Sequence, residues 1–148
     1  MQPSGNPMRG LLVEVAKVRK VTVLLVDDSR TVLAQIERIL SDVEAISIVG
    51  MARNGAAAIR MTDESRPDLV LMDIVMPGLD GLSALRTIKS MHPEVRVAMV
   101  SSVSGDPGKA EEAFKLGASQ VLGKPFDVEQ IESLIESVRR EIASSESK

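Results

Sequence analysis

The stretch from Leu69 to Gly81, LVLMDIVMPGLDG, constrains the fold of this chain more than any other segment. An apolar run ends abruptly at Asp73, and the residues that follow it are typical of turns. Continuous apolar runs are typical of strands buried on both faces of a parallel sheet, where the loops at the carboxyl ends of the strands carry the chemistry. The segment therefore predicts a buried strand that presents Asp73 as an exposed carboxylate at its tip.

The same pattern, an apolar run followed by polar residues and a segment with helical spacing, recurs from residue 21 onward. Apolar residues spaced three or four apart indicate helices, and Ser29, Asp80 and the Asp127–Gln130 pair are placed to cap them. The predicted strands cover residues 21–26, 46–52, 69–72, 95–100 and 120–123. The predicted helices begin near residues 29, 54, 82, 107 and 127, and Asp106 is expected to cap the fourth.

Five strands that alternate with five helices predict an open, parallel α/β sheet with right-handed crossovers. In such a fold the carboxyl ends of all the strands lie along one edge of the sheet. That edge is expected to collect the polar residues that directly follow the predicted strands, which are Asp27, Asp28, Asp73, Ser101 and Lys124.

The composition excludes several classes of function. The 148 residues are enough for one domain with a full core, and the absence of cysteine excludes thiol catalysis, disulfides and thiolate metal sites. A net charge of −3 with scattered basic residues argues against binding to nucleic acid. The apolar runs are too short to cross a membrane and the first 20 residues lack the layout of a signal peptide, so we expect a cytoplasmic location.

The regular pattern also predicts the domain boundaries. Residues 1–20 are expected to form a tail or arm, residues 21–143 the folded domain, and residues 144–148 a frayed C-terminal tail. With two phenylalanines and no Tyr or Trp, the core is expected to consist of Val, Leu, Ile, Met and Ala. The only histidine, His92, stands at a predicted helix end and is expected to be solvated rather than a metal ligand or phosphodonor.

Three carboxylates at one edge repel one another, so they require raised pKa values or a bound cation. Oxygen ligands without His or Cys suit Mg²⁺, for which Asp28 and Asp73 are the natural ligands. One carboxylate could then attack phosphorus to form an aspartyl phosphate, while Lys124 and the Ser101 hydroxyl bind phosphoryl oxygens. Singly, these residues also have ordinary interpretations: Asp28 before Ser29 resembles a helix cap, and a Ser or Lys at a strand end is usually a solvated loop residue.

Four motifs, in order, closely resemble the receiver domain of two-component response regulators, the CheY-like family. They are LLVDDS, LVLMDIVMPGLDG, VAMVSS and GASQVLGKPF, and the resemblance extends from residue 21 to about residue 140. It implies a flavodoxin-like (βα)5 fold with strand order 2-1-3-4-5 and helices on both faces of the sheet.

The resemblance also implies a metal site and a phosphoacceptor. Asp73 would be the phosphoacceptor and a ligand of Mg²⁺. Asp28 would bind the ion directly, Asp27 largely through water, and the backbone carbonyl of Val75 would complete the protein ligands.

A second set of implied roles concerns the switch. Ser101 would be the hydroxyl that moves toward the phosphoryl group, and Lys124 would be its cationic partner. The peptide bond between Lys124 and Pro125 would be cis.

Two positions depart from the usual family pattern. Receivers commonly carry Tyr or Phe three residues before the lysine, where this chain has Val121, so a switch that depends on an aromatic ring is not available. Two residues after Asp73, where relatives often carry a polar side chain near the attacking water, this chain has Val75. Because valine cannot orient water by hydrogen bonding, we expect slow autodephosphorylation.

Because the sequence ends soon after the predicted fifth helix, we expect a stand-alone response regulator. The resemblance implies that it catalyses only its own phosphorylation and dephosphorylation. It would receive a phosphoryl group from a sensor histidine kinase and bind a downstream protein through its fourth helix, fifth strand and fifth helix. Phosphorylation would also promote homodimers through this face, as in relatives. The VSSVSG loop resembles receivers of chemotaxis methylesterases, so chemotaxis is one expected setting.

Three alternatives remain open at this point. The chain could be a receiver cut from a larger regulator, a Mg²⁺-dependent phosphatase that turns over through an aspartyl phosphate, or a pseudo-receiver scaffold. The adjacent Asp27 and Asp28, in place of a DxD motif, and the lack of a substrate cap argue against the phosphatase. The intact set of predicted site residues argues against the scaffold.

Overall fold

The computed structural model describes residues 20–102 and 107–146 of the chain. Within these residues, strands and helices alternate strictly, as the apolar pattern predicts. The strands are β1 (Val21–Val26), β2 (Ile46–Ala52), β3 (Leu69–Asp73), β4 (Arg96–Ser102) and β5 (Gln120–Lys124). The helices are α1 (Arg30–Ser41), α2 (Gly55–Ser65), α3 (Gly81–Met91), α4 (Pro107–Lys115) and α5 (Val128–Glu146).

The five strands form one parallel sheet in the order β2-β1-β3-β4-β5, which confirms the predicted flavodoxin-like fold. Every residue of the central strand β3 is buried. Val26 lies beside Met72, and Asp73 lies beside Val100, so the carboxyl ends of β1, β3 and β4 reach the same level. This register brings the residues that follow β1 and β3 to one edge of the sheet.

The side chains of the central strands alternate between two hydrophobic cores. Val23 and Leu25 of β1 pack with the apolar sides of α1 and α5, whereas Leu24 and Val26 pack with α2, α3 and α4. Helices therefore cover both faces of the sheet, as predicted. The fully buried apolar residues of the described chain are aliphatic or Met, so the predicted core composition is confirmed.

Short polar side chains begin α1, α2, α3 and α5, as predicted for Ser29, Asp80 and the Asp127–Gln130 pair. Ser29, Asn54 and Asp80 each accept a hydrogen bond from the backbone N–H three residues further on. At α5, the Asp127 carboxylate accepts from the Gln130 N–H, and the Gln130 amide oxygen accepts from the Asp127 N–H. This reciprocal pair is the predicted capping box.

Some element boundaries differ from the prediction. β3, β4 and β5 continue into polar residues, so Asp73, Ser102 and Lys124 end strands instead of following them. Backbone pairing with neighbouring strands extends each element past its apolar run. Helix α5 continues to Glu146, beyond the predicted boundary at residue 143. Residues 1–19 of the predicted tail (residues 1–20) and the predicted cap Asp106 lie outside the described residues.

The prediction that His92 is solvated is wrong. His92 is the C-cap residue that follows α3 and is only 6% exposed, and its Nε2 lies 3.0 Å from Oδ1 of Asp63 on α2. Helices α2 and α3 pack against each other and enclose the imidazole. The position of His92 at the end of a predicted helix gave no sign of this burial. His92 is therefore part of the contact between these two helices. None of the helices in the described residues combines the length and apolar composition needed to span a bilayer.

Candidate functional site

Three carboxylates lie close together at the carboxyl edge of the sheet, as the sequence predicts. Asp27 and Asp28 follow β1, and Asp73 ends the adjacent strand β3. One oxygen atom from each carboxylate lies within 4.8 Å of the other two. The parallel register of β1 and β3 produces this cluster, because both strands end at the same level of the sheet.

The three carboxylates differ in burial. Asp27 is 2% exposed and Asp73 is 7% exposed, whereas Asp28 lies at the surface. The prediction that Asp73 is an exposed carboxylate is therefore wrong. The chain after β3 turns back over its tip, so that the Val75 N–H donates to Oδ1 of Asp73 at 3.2 Å and the Gly81 N–H donates to the Ile74 carbonyl at 2.8 Å.

Lys124 lies at the end of β5, the edge strand opposite β2, and its side chain reaches the cluster. Its Nζ lies 3.1 Å from Oδ2 of Asp27 and 3.0 Å from Oδ2 of Asp73. When all three carboxylates are ionised, the one ammonium group leaves an excess of two negative charges at the cluster. The lysine thus holds the two buried acids together but neutralises them only in part.

The electrostatics of the buried pair follow from this geometry. Burial raises the pKa of Asp27, and the nearby negative charge of Asp73 raises it further, while the hydrogen bond from the Ser29 N–H and the contact with Lys124 act in the opposite direction. For Lys124, burial alone would lower the pKa, but hydrogen bonds to Asp73 and Asp27 outweigh it and the pKa is raised. Lys124 is therefore held in its charged form beside the two carboxylates.

The Ser101 hydroxyl and the Val75 side chain are near the cluster without bonding to it. Ser101, on β4, lies one residue beyond Val100, the partner of Asp73, and its hydroxyl donates to the Ser102 carbonyl at 3.4 Å. Val75 presents its side chain to solvent, with 58% of the residue exposed. The peptide bond between Lys124 and Pro125 is cis, as expected. The roles of Ser101 and of the Val75 carbonyl stay predictions.

Sequence reasoning missed two residues at this edge. Arg53 follows β2 and donates from Nη2 to the backbone carbonyl of Asp28 at 3.2 Å. At Gly81 a Cβ atom would lie 2.1 Å from the carbonyl oxygen of Asp73, so only glycine fits beside the end of β3. The glycine had a signal in the LDG turn, whereas nothing in the sequence singled out Arg53.

The donor set fits a hard divalent cation. Three carboxylate oxygens converge without His or Cys, and the negative charge that Lys124 leaves uncompensated favours a cation. Such oxygen ligands are those that Mg²⁺ prefers. The arrangement can hold a metal ion, and it can place a carboxylate oxygen and an ammonium group around an anionic substrate.

Comparison with known families agrees with this fold and site. The family model for the response regulator receiver domain matches residues 23–136. This match covers most of the chain, and the chain therefore belongs to the family of response regulator receiver domains.

Among curated relatives, the chemotaxis protein CheY of Listeria monocytogenes is 35% identical over 117 residues, which cover 79% of this chain and 97% of that protein. A protein-glutamate methylesterase/protein-glutamine glutaminase of Myxococcus xanthus is 39% identical over 108 residues, or 73% of this chain, but the match spans only 31% of that longer protein. The relatives thus include a protein that is matched over nearly its whole length and a longer protein that is matched over about a third of its length.

Solved structures show the same fold. The response regulator domain of Thermotoga maritima CheB is 32% identical and superposes with a TM-score of 0.73, covering 82% of this chain and 96% of that domain. CheY in the CheX-CheY-BeF3-Mg²⁺ complex of Borrelia burgdorferi is 29% identical with a TM-score of 0.75, covering 81% of this chain and 90% of that one.

Proposed function

We propose that this receiver is a phosphorylation-controlled binding module of a two-component system, with Asp73 as its phosphoacceptor. The observation that carries the proposal is the pair of contacts that Lys124 makes with Asp27 and Asp73 beside a third carboxylate. Asp73 lies at the centre of this arrangement, with one oxygen bound to Lys124 and the other to the Val75 N–H.

The proposed reaction is the transfer of a phosphoryl group to an oxygen of Asp73. A new bond forms between that oxygen and phosphorus, while the bond from phosphorus to the donor breaks and its electron pair leaves with the donor. The donor would be a phosphohistidine of a sensor kinase or a small acyl phosphate. Lys124 would stabilise charge on the phosphoryl oxygens, and the Ser101 hydroxyl would turn from the Ser102 carbonyl to bind another oxygen.

Asp27, Asp28, Asp73 and the backbone carbonyl of Val75 would hold Mg²⁺. When bound, the ion would neutralise the excess negative charge of the carboxylates and of the incoming phosphoryl group. The chain would catalyse only its own phosphorylation and dephosphorylation.

The output would be a protein that binds to the surface of α4, β5 and α5. Support comes from Phe114 on α4 and Val128 on α5, which are 52% and 47% exposed. The same surface would form phosphorylation-promoted homodimers. A relative named as a chemotaxis protein supports chemotaxis as the pathway. The protein would act in the cytoplasm, alone or as part of a longer regulator.

The test is to incubate the protein with an acyl phosphate donor, with Mg²⁺ or with a chelator, and to measure the intact mass. We expect one added phosphoryl group that requires Mg²⁺ and is absent in Asp73→Asn. Asp42→Asn, which removes an exposed carboxylate outside the cluster, is the matched control and should behave as the parent. Equal incorporation in Asp73→Asn, or repeated turnover of a small phosphomonoester, would contradict the proposal.

A further inference from the structure

Arg53, which follows the edge strand β2, contacts the backbone next to the acidic cluster. The main-chain pairing of β1 with β2 continues to Asp27, whose N–H donates to the Ala52 carbonyl at 3.1 Å. One residue further on, a side-chain contact replaces the main-chain pairing: Nη2 of Arg53 donates to the Asp28 carbonyl at 3.2 Å. The guanidinium group therefore extends the attachment of β1 to β2 by one residue, up to Asp28.

This contact matters because it holds the backbone of Asp28, whose carboxylate has no partner of its own among the described residues. Asp27 is held by the Ser29 N–H at 2.9 Å and by Lys124 at 3.1 Å. Asp73 is held by the Val75 N–H and Lys124. The Asp28 side chain is exposed and makes no hydrogen bond or ion pair with any residue that the structure describes. Among the described contacts, only Arg53 fixes residue 28 from outside its own turn.

We propose that Arg53 is a positioning residue for the metal site, which holds the Asp28 peptide so that the carboxylate faces Asp27 and Asp73. The inference rests on the proposed function, because it assigns to Asp28 the role of a ligand of Mg²⁺. Arg53 directly follows β2, a strand that supplies none of the three carboxylates. A carboxylate held in place loses less conformational freedom when it binds an ion, so its affinity is higher.

The sign of the effect distinguishes positioning from simple charge. A guanidinium group close to the cluster repels a divalent cation, so loss of its charge alone would strengthen the binding of Mg²⁺. Loss of positioning would weaken that binding. The two effects oppose each other, and the affinity of an alanine variant shows which one dominates.

The experiment measures the dissociation constant of Mg²⁺ for the unphosphorylated full chain by titration calorimetry. Arg53→Ala should weaken binding by about three- to tenfold, the factor associated with one lost hydrogen bond. Arg53→Lys keeps a donor and the charge, and should return the constant to within about twofold of the parent value. The matched control is Arg60→Ala, since Arg60 is an exposed arginine on α2 with no contact to the cluster, and it should leave the constant unchanged.

A second readout needs no metal. In the metal-free protein, Arg53→Ala should shift the backbone amide resonances of Asp28 and Ser29, and thermal unfolding should remain close to that of the parent because Arg53 is exposed. Unchanged or tighter Mg²⁺ binding in Arg53→Ala, or equal weakening in Arg60→Ala, would overturn the role of Arg53 alone. Failure of the parent protein to bind Mg²⁺ would overturn the proposed metal site and this inference together.

Discussion

Burial and the neighbouring charge of Asp73 favour the neutral form of the Asp27 carboxyl group, so its pKa is raised above the ordinary value of 3.8. A group whose pKa rises on folding stabilises the folded state fully at pH values below its unfolded pKa. That stabilisation is lost as the pH rises through the folded pKa. Asp27 therefore contributes less to the stability of the metal-free protein at neutral pH than at low pH.

Asp27→Asn should accordingly raise the free energy of unfolding at neutral pH by on the order of 1 kcal/mol, because it removes the cost of burying the charge and the repulsion from Asp73, which together outweigh the lost attraction to Lys124. The amide oxygen can still accept the hydrogen bond from the Ser29 N–H. Urea unfolding with a chelator present would measure the effect, which should shrink as the pH falls toward 3.8. Asp42→Asn, at an exposed position, serves as the control. A less stable Asp27→Asn at neutral pH would contradict this interpretation.

Val75 leads to a prediction about the lifetime of the phosphoryl group. Its exposed side chain lies two residues after Asp73 and cannot orient water by hydrogen bonding. Val75→Asn should shorten the lifetime of the phosphorylated protein by about three- to tenfold, the effect of one added hydrogen bond. The loss of phosphoryl from purified protein with Mg²⁺ measures this, with the exposed Val49→Asn as control. An equally short lifetime in the parent protein would show that Val75 does not slow the reaction.

For individual residues, the sequence indicated which side chains belong to the site, but not how buried they are or what they contact. Asp27, Asp28, Asp73 and Lys124 stand out because each follows or ends an apolar run. The burial of Asp73 depends on how the chain after β3 turns back, and that of His92 depends on the packing of α2 against α3. The contact of Arg53 with Asp28 likewise joins residues that are distant in the sequence.

Among the elements, the connection between β3 and α3 controls the position of Asp73. The N-terminal residue of α3, Gly81, packs directly on the end of β3, where a Cβ atom would lie 2.1 Å from the Asp73 carbonyl oxygen and 2.8 Å from Cα of Ile74. Both neighbours are backbone atoms, so neither can move without displacing the strand or the helix.

Gly81→Ala should therefore lower the free energy of unfolding by about 2 to 3 kcal/mol, as expected for an overpacked site. Gly123→Ala on β5 is the matched control, because a Cβ atom there would have no neighbour within 4 Å. Denaturant unfolding of both variants, compared with the parent, would measure the difference. Equal stability of the two variants would show that the end of β3 tolerates a side chain at residue 81.

The helices and strands were largely predictable from local signals. Apolar spacing and capping residues such as Ser29 and Asp127 determine where helices begin, and the structure shows those caps in place. Strand ends were less predictable, because β4 and β5 continue through Ser102 and Lys124 by pairing with neighbouring strands. Pairing of this kind depends on tertiary structure, and the polar residues at these strand ends show no apolar pattern from which a strand could be predicted.

For the whole molecule, strand order follows from the family resemblance and from the connection rules for parallel sheets. The proposed signalling also involves the whole molecule, since a change at the carboxyl edge must reach the surface of α4, β5 and α5. Lys124 belongs to both regions: it ends β5 and binds Asp27 and Asp73. Val121 is half-buried on the same strand, and it has no aromatic ring that could transmit the change.

Lys124→Ala should therefore uncouple phosphorylation from the change at this surface. Binding of Mg²⁺ should persist, because the carboxylates remain and a competing cation is lost. Backbone amide shifts at Val121 and Val128 on addition of the phosphodonor should be seen in the parent and in the control Lys20→Ala, but be lost in Lys124→Ala. Identical shifts in all three proteins would exclude Lys124 from the coupling.

The most direct test of the central claim is to identify the residue that carries the phosphoryl group. After incubation with Mg²⁺ and an acyl phosphate, borohydride reduces an aspartyl phosphate to homoserine, and peptide mass spectrometry then locates the change. We predict homoserine at residue 73 alone, and none when Mg²⁺ is withheld. Homoserine at residue 27 or 28, or the absence of any modified residue with Mg²⁺ present, would contradict the assignment of Asp73 as the phosphoacceptor.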